Sequence, residues 1–220
     1  MQVNKDGRVL LIVNCLSRHG DSRFYYLYKF IEFAGVDVAK RCLSDHYSQI
    51  SVLKDAEASK QQFISRLRSI CEDRRVITVD LFFQLHGLAG KAGFFDQWVS
   101  TSALGEEIRQ VAKNSSLRLV YNTSCYGDSH SGDFIKAGFQ VSVGAVGVNA
   151  NAATEYPLFC RSWAKSAGRS DRMLPLTEVV RRADRPLPRL IQDSIAGRYF
   201  DDVESRKIIR GNGAVTIETV

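Results

Sequence analysis

The stretch Val76-Ile77-Thr78-Val79-Asp80-Leu81-Phe82-Phe83-Gln84-Leu85 is an apolar run that leads into His86-Gly87, and Leu117-Arg118-Leu119-Val120-Tyr121 is a second run that leads into Asn122-Thr123-Ser124-Cys125-Tyr126-Gly127. Each run has the length of a strand, and near-continuous apolarity marks strands covered on both faces, as in a parallel sheet. In open α/β sheets the ligand crevice lies outside the carboxyl ends of the strands. Two strands that each release one reactive side chain there place His86 and Cys125 at a common site. That is the arrangement of a thiol nucleophile and its acid/base partner.

Working outward, Arg8-Val9-Leu10-Leu11-Ile12-Val13-Asn14 reads as a first buried strand. Helical spacing of Phe24, Leu27, Phe30 and Ile31 predicts a helix over residues 24–33, stopped by Gly35. Residues 36–43 alternate and read as an outer strand, 44–49 as a loop, and 52–71 as an amphipathic helix with Phe63, Leu67 and Ile70 inward. Beyond His86, glycines at turn spacing over 88–99 predict a small hairpin on the rim of the site. Ser100-Thr101-Ser102 then offers caps for a helix over about 103–113, with Glu106 and Glu107 near its positive end. After Cys125, residues 127–133 read as a small-residue turn opening a short helix over 134–137, followed by a strand over 140–146. A helix at 156–165, an arginine-rich helical pair at 176–196 and a hairpin at 207–217 complete the chain. The alternation predicts an α/β fold in three layers, a mostly parallel sheet with helices on both faces. We read one domain over 1–220, with a helical and hairpin extension from about 166, where 166–171 is the most linker-like stretch.

With 220 residues, 45% of them hydrophobic, the chain is long enough for a sizeable core. It has no run of about 18 apolar residues, and Met1-Gln2-Val3-Asn4-Lys5-Asp6 lacks the layout of a signal peptide, so a soluble, cytoplasmic protein is expected. The five cysteines (Cys15, Cys42, Cys71, Cys125 and Cys160) are odd in number, widely spaced and never in a Cys-x-x-Cys pair. That pattern calls for neither a disulfide framework nor zinc, and no metal or cofactor is expected. The net charge of +6 owes much to residues 161–189 and to Arg66, Arg68, Arg74 and Arg75, with few aromatics interleaved. A solvated basic face, not a nucleic-acid groove, is the expectation, with an acidic partner or substrate left open.

A cysteine attacks as its thiolate, so Cys125 needs a base or a stabilising field, and the turn into a helix that follows it supplies backbone N–H groups. Gly87 has no Cβ to keep a substrate carbonyl away, so the amides of Gly87 and Cys125 are candidates to hold an oxyanion. Ser129-His130 with Asp128 or Asp133 has the residue types of a serine triad, but neighbours on one turn rarely converge. Gly144-Ala145-Val146-Gly147 lacks the third glycine of a phosphate loop and reads as a tight turn, while Cys160 and Trp163 read as helix packing.

At His86-Gly87, at Ser124-Cys125, in the 127–132 turn and in Val141-Ser142-Val143-Gly144-Ala145, the sequence resembles the caspase-like cysteine peptidases, which include caspases, metacaspases, legumain, gingipain and clostripain. The resemblance spans roughly residues 8–165. It implies a caspase-hemoglobinase-like sheet of about six strands and a peptidase in which Cys125 attacks the scissile carbonyl, His86 protonates the leaving amine, and the Gly87 and Cys125 amides hold the oxyanion. It also implies a protein or peptide substrate, and allows for an activating protein partner. Caspases carry Gln-Ala-Cys with the histidine about 50 residues upstream, whereas here Thr123-Ser124-Cys125 lies 39 residues after His86, so the chain is not a close caspase. Candidates to line the first specificity pocket are Arg18, Asp21, Thr123, Asn149 and Glu155; Arg18 would favour an acidic side chain, and Asp21 or Glu155 a basic one. Arg169 and Arg172 are candidate processing sites. Two other classes remain: a catalytically silent caspase-like module that binds a partner through the edge of its C-terminal hairpin, and a flavodoxin-like small-molecule binder, disfavoured by the missing phosphate loop.

Overall fold

The computed structural model describes residues 2–113, 115–167 and 173–219. In chain order its elements are β1 (Arg8–Cys15), α1 (Tyr25–Leu43), β2 (Gln49–Lys54), α2 (Lys60–Glu72), β3 (Thr78–Leu88), β4 (Lys91–Gly93), β5 (Trp98–Ser100), α3 (Thr101–Val111), β6 (Ser116–Asn122), α4 (Gly127–Lys136), β7 (Val141–Ala145), α5 (Ala152–Ala164), α6 (Leu176–Ala183), α7 (Pro186–Ala196) and β8 (Lys207–Gly211). The main sheet runs β2-β1-β3-β6-β7-β8, parallel as far as β7 and closed at one edge by antiparallel β8. The short β4–β5 hairpin stands on the carboxyl end of β3, as the glycine spacing led us to expect.

Successive side chains of a strand point to opposite faces, and this rule sorts the core into two halves. On one face Val9, Leu11, Val79, Leu81, Phe83 and Val120 pack against Phe63 and Leu67 of α2, Leu104 and Ile108 of α3 and Phe134 of α4. On the other, Leu10, Ile12, Phe82, Leu119 and Tyr121 meet Ala39 and Leu43 of α1, Phe159 and Trp163 of α5 and Val179 of α6. Each such aliphatic or aromatic side chain contributes about 1.5–3 kcal/mol by leaving water. The result is the three-layer α/β architecture expected from the sequence.

Five expectations fail locally. Residues 36–43 are not a strand, because α1 continues unbroken to Leu43. Gly35 does not stop it: Gly35 is buried where a Cβ would run into the Gln84 side chain, so it is a point of close helix–sheet approach. The second strand is instead Gln49-Ile50-Ser51-Val52-Leu53-Lys54, on the outer edge, and α2 begins only at Lys60, where the Ser59 side chain accepts from the Gln62 N–H. Residues 127–133 are themselves the start of α4. The C-terminal hairpin has only its first arm, β8; residues 212–217 turn inward, with Val215 and Ile217 buried. Arg169 and Arg172, with most of the linker-like stretch, lie outside the described residues.

Between the sheet and α5 lies a buried ionic network. Arg118 of β6 grips Asp80 of β3 with two hydrogen bonds, Nε to Oδ1 at 2.9 Å and Nη2 to Oδ2 at 2.6 Å. Both side chains are fully buried. Tyr47 donates its hydroxyl to the same carboxylate and accepts from Trp163 Nε1. The remaining guanidinium nitrogen donates to the carbonyls of Thr216, Ile217 and Thr219.

Candidate active site

β3 and β6 are neighbours in the sheet, and their carboxyl ends meet at Gly87. A Cβ there would collide with the Cys125 carbonyl and stand 2.8 Å from Ser124 Cβ, so only glycine permits this approach. The Thr123 N–H and hydroxyl both donate to the Phe83 carbonyl, at 2.9 and 3.0 Å, carrying the β6 exit alongside β3. Tyr126 adopts φ 54°, a left-handed conformation that turns the chain sharply into α4 and leaves Cys125 on the corner. His130 of α4 braces the two exits from beneath. Its Nε2 lies 2.8 Å from the Leu88 carbonyl and its Nδ1 3.0 Å from Asn122 Nδ2, partners that require the proton on Nε2.

His86, Gly87, Thr123, Cys125, Tyr126 and Asn149 line one cleft of about 600 Å³. The His86 ring is met edge-on by Tyr28, with centroids 4.9 Å apart and planes at 89°, and its buried Nε2 has no hydrogen-bond partner among the described residues. Burial lowers the His86 pKa, opposed by a backbone hydrogen bond with Leu16 that must fall on the other ring nitrogen. The imidazole is therefore neutral at pH 7. Burial also raises the Cys125 thiol above its ordinary value, opposed by the Asn149 amide, by Lys207 and by the thiol's own backbone N–H. The Asn149 N–H donates to Cys125 Sγ at 3.4 Å. The resting pair is thus a neutral thiol and a neutral imidazole.

Behind this pair lies Lys207, which nothing in the sequence marked. Its buried ammonium donates to Asn149 Oδ1 at 3.0 Å, Asn151 Oδ1 at 3.4 Å and the Ser205 carbonyl at 3.2 Å, and stands 3.3 Å from Glu155 Oε2. Asn149 Nδ2 in turn donates to the Thr123 carbonyl at 2.8 Å. One asparagine thereby joins the β6 exit, the thiol and a buried cation.

The expected specificity residues divide. Asp21, Thr123 and Asn149 line the cleft. Arg18 does not, because its Nε donates to the Phe95 carbonyl at 3.3 Å and its guanidinium lies 5.2 Å from the Phe95 ring centroid. Glu155 does not either: it is fully buried in α5 beside Lys207. The charge of Asp21 is matched by Arg23, 2.5 Å away, which holds its carboxyl below the ordinary value. The serine-triad residues do not converge: Ser129 donates to the Tyr126 carbonyl, Asp128 pairs with Arg210, and Asp133 accepts from Thr101. Gly144 and Ala145 belong to β7 instead of a tight turn. All five cysteines are free.

No family model and no curated protein sequence matches this chain. Among solved structures, the chain is similar to the Drosophila initiator caspase Dronc, over 98% of its own length and 84% of that chain, with a TM-score of 0.55 and 10% sequence identity. At that identity the likeness is one of fold, and the fold is caspase-like. Among the described residues, no helix is long and apolar enough to cross a membrane.

Proposed function

We propose that this protein is a cysteine endopeptidase acting on a protein or peptide. The observation that carries the reading is the delivery of His86 and Cys125 by adjacent parallel strands into one cleft, with a backbone N–H already directed at the sulfur. In the reaction, the Cys125 proton passes to His86 as sulfur bonds to the scissile carbonyl carbon. His86 then protonates the departing amine as the C–N bond breaks. Water, deprotonated by His86, hydrolyses the thioester and regenerates the thiol. The Gly87 and Cys125 amides are the proposed donors to the oxyanion, a role typically worth 10²–10³-fold in rate per donor.

The test is cleavage of a broad peptide mixture by the intact protein and by Cys125→Ala and His86→Ala. Activity in the intact protein and its loss in both variants supports the reading. Undiminished cleavage by Cys125→Ala overturns it. If the intact protein cleaves nothing across pH 5–9, the partner-binding module becomes the better account.

A further inference from the structure

The cleft at Cys125 is walled largely by carbon. Leu16, Phe24, Leu27, Ile31, Ile195 and Phe200 form much of its lining, brought together from the exit of β1, from α1 and the turn just before it, from α7 and from the segment after α7. Phe24 packs on Tyr199 and Phe200, with ring centroids 5.8 and 5.6 Å apart, so the two sides meet as one apolar surface. Trp98 closes the hairpin side, its ring tilted at 40° to that of His19 with centroids 5.0 Å apart. Among the described residues, the carboxylates at this lining are Asp21, occupied by Arg23, and Asp201, at the exposed rim; no lysine or arginine faces it. The charges that would have read a charged substrate are held elsewhere, Arg18 on Phe95 and Glu155 against Lys207.

We infer that the residue whose side chain enters this cleft beside the scissile bond is large and uncharged, of the leucine, phenylalanine or tyrosine kind, and neither acidic nor basic. This rests on the endopeptidase reading and names its substrate class. An acidic side chain entering the cleft gives up its hydration with no cation in the lining to replace it, and a basic one finds Asp21 already matched by Arg23 and Asp201 only at the solvent-exposed rim. An apolar one exchanges water for the carbon wall, a gain that in enzyme pockets corresponds to about 10–200-fold in kcat/KM.

The experiment has two arms. In the first, the intact protein is given a fluorogenic peptide library varied at the residue before the scissile bond. Leucine, phenylalanine or tyrosine should exceed aspartate, glutamate, lysine and arginine by about tenfold or more in kcat/KM. In the second, Cys125 is labelled by peptidyl chloromethyl ketones that differ only in that residue, a reaction in which sulfur bonds to the methylene carbon and chloride leaves. Rates are expressed relative to iodoacetamide, which reads the thiol alone. Faster labelling by the phenylalanine probe than by the lysine and aspartate probes supports the inference, and an equal or reversed order overturns it. Because labelling needs no peptide hydrolysis, an inactive library with ordered labelling sinks the endopeptidase reading and keeps the cleft preference. Cys125-dependent cleavage after charged residues does the reverse. Ile195→Asp, at a half-exposed position on α7, should cut phenylalanine-probe labelling by about tenfold and shift the order toward the lysine probe; an unchanged order would remove the wall from the argument.

Discussion

Lys207 is a single buried ammonium that acts on the thiol both through Asn149 and through its own charge. Its bond to Asn149 Oδ1 fixes the loop whose amide donates to Cys125 Sγ, and its charge opposes the upward push that burial gives the thiol. Lys207→Met keeps much of the side-chain length but removes both effects. The pH profile of iodoacetamide reaction at Cys125 should therefore move to higher pH, and the rate near pH 7.5 should fall several-fold; a profile identical to that of the unsubstituted protein would make Lys207 purely structural. The shared position of His86, Gly87 and Cys125 at one cleft was legible in the sequence because each stands at the end of an apolar run that dictates where it emerges. Lys207 was not, since a lysine at the head of an edge strand carries no local sign of what lies beneath it. Arg18 and Glu155 misled for the complementary reason: which charge is already matched by another part of the same chain is a tertiary fact.

The helices that flank the cleft differ in how they are held. α1 buries Gly35, Ala39 and Leu43, whereas α7 buries none of its residues and is tied down by polar contacts. Asp193 accepts from the Ser205 hydroxyl and backbone N–H, Gln192 exchanges hydrogen bonds with Thr154, and Arg189 pairs with Asp184. An element without buried apolar contacts opens at low free-energy cost. Asp193→Ala should speed amide exchange across residues 186–196 by roughly tenfold, as losing about 1–1.5 kcal/mol of hydrogen bonding implies, and leave β1 and β3 protected. Element types were readable wherever burial is complete, as in β1, β3 and β6. They were misread around residues 36–54. There, Val36-Asp37-Val38-Ala39 alternates like a strand but lies on a half-exposed helix, and the true strand β2 carries polar residues because it is the sheet's edge. Local pattern there yields to where the sheet needs a neighbour.

Across the whole molecule, the Asp80–Arg118 pair stands out because it sets two full charges with no solvent exposure into the heart of the sheet. Its value is asymmetric: removing one partner strands the other in a dry interior, typically costing about 3–5 kcal/mol. Arg118→Met should lower the urea midpoint by that measure, and Asp80→Leu added to it should recover part of the loss; a double variant weaker than the single would show that the Tyr47 and Trp163 contacts carry the network. The same arginine makes a demand on the order of events during synthesis. The carbonyls that complete its coordination belong to Thr216, Ile217 and Thr219, about a hundred positions downstream. While a ribosome still holds those residues, β1, β3 and β6 can already lie side by side, but the guanidinium between them lacks its last acceptors. The nascent chain must therefore wait, compact and unfinished, until that segment has left the ribosome before its centre can dry.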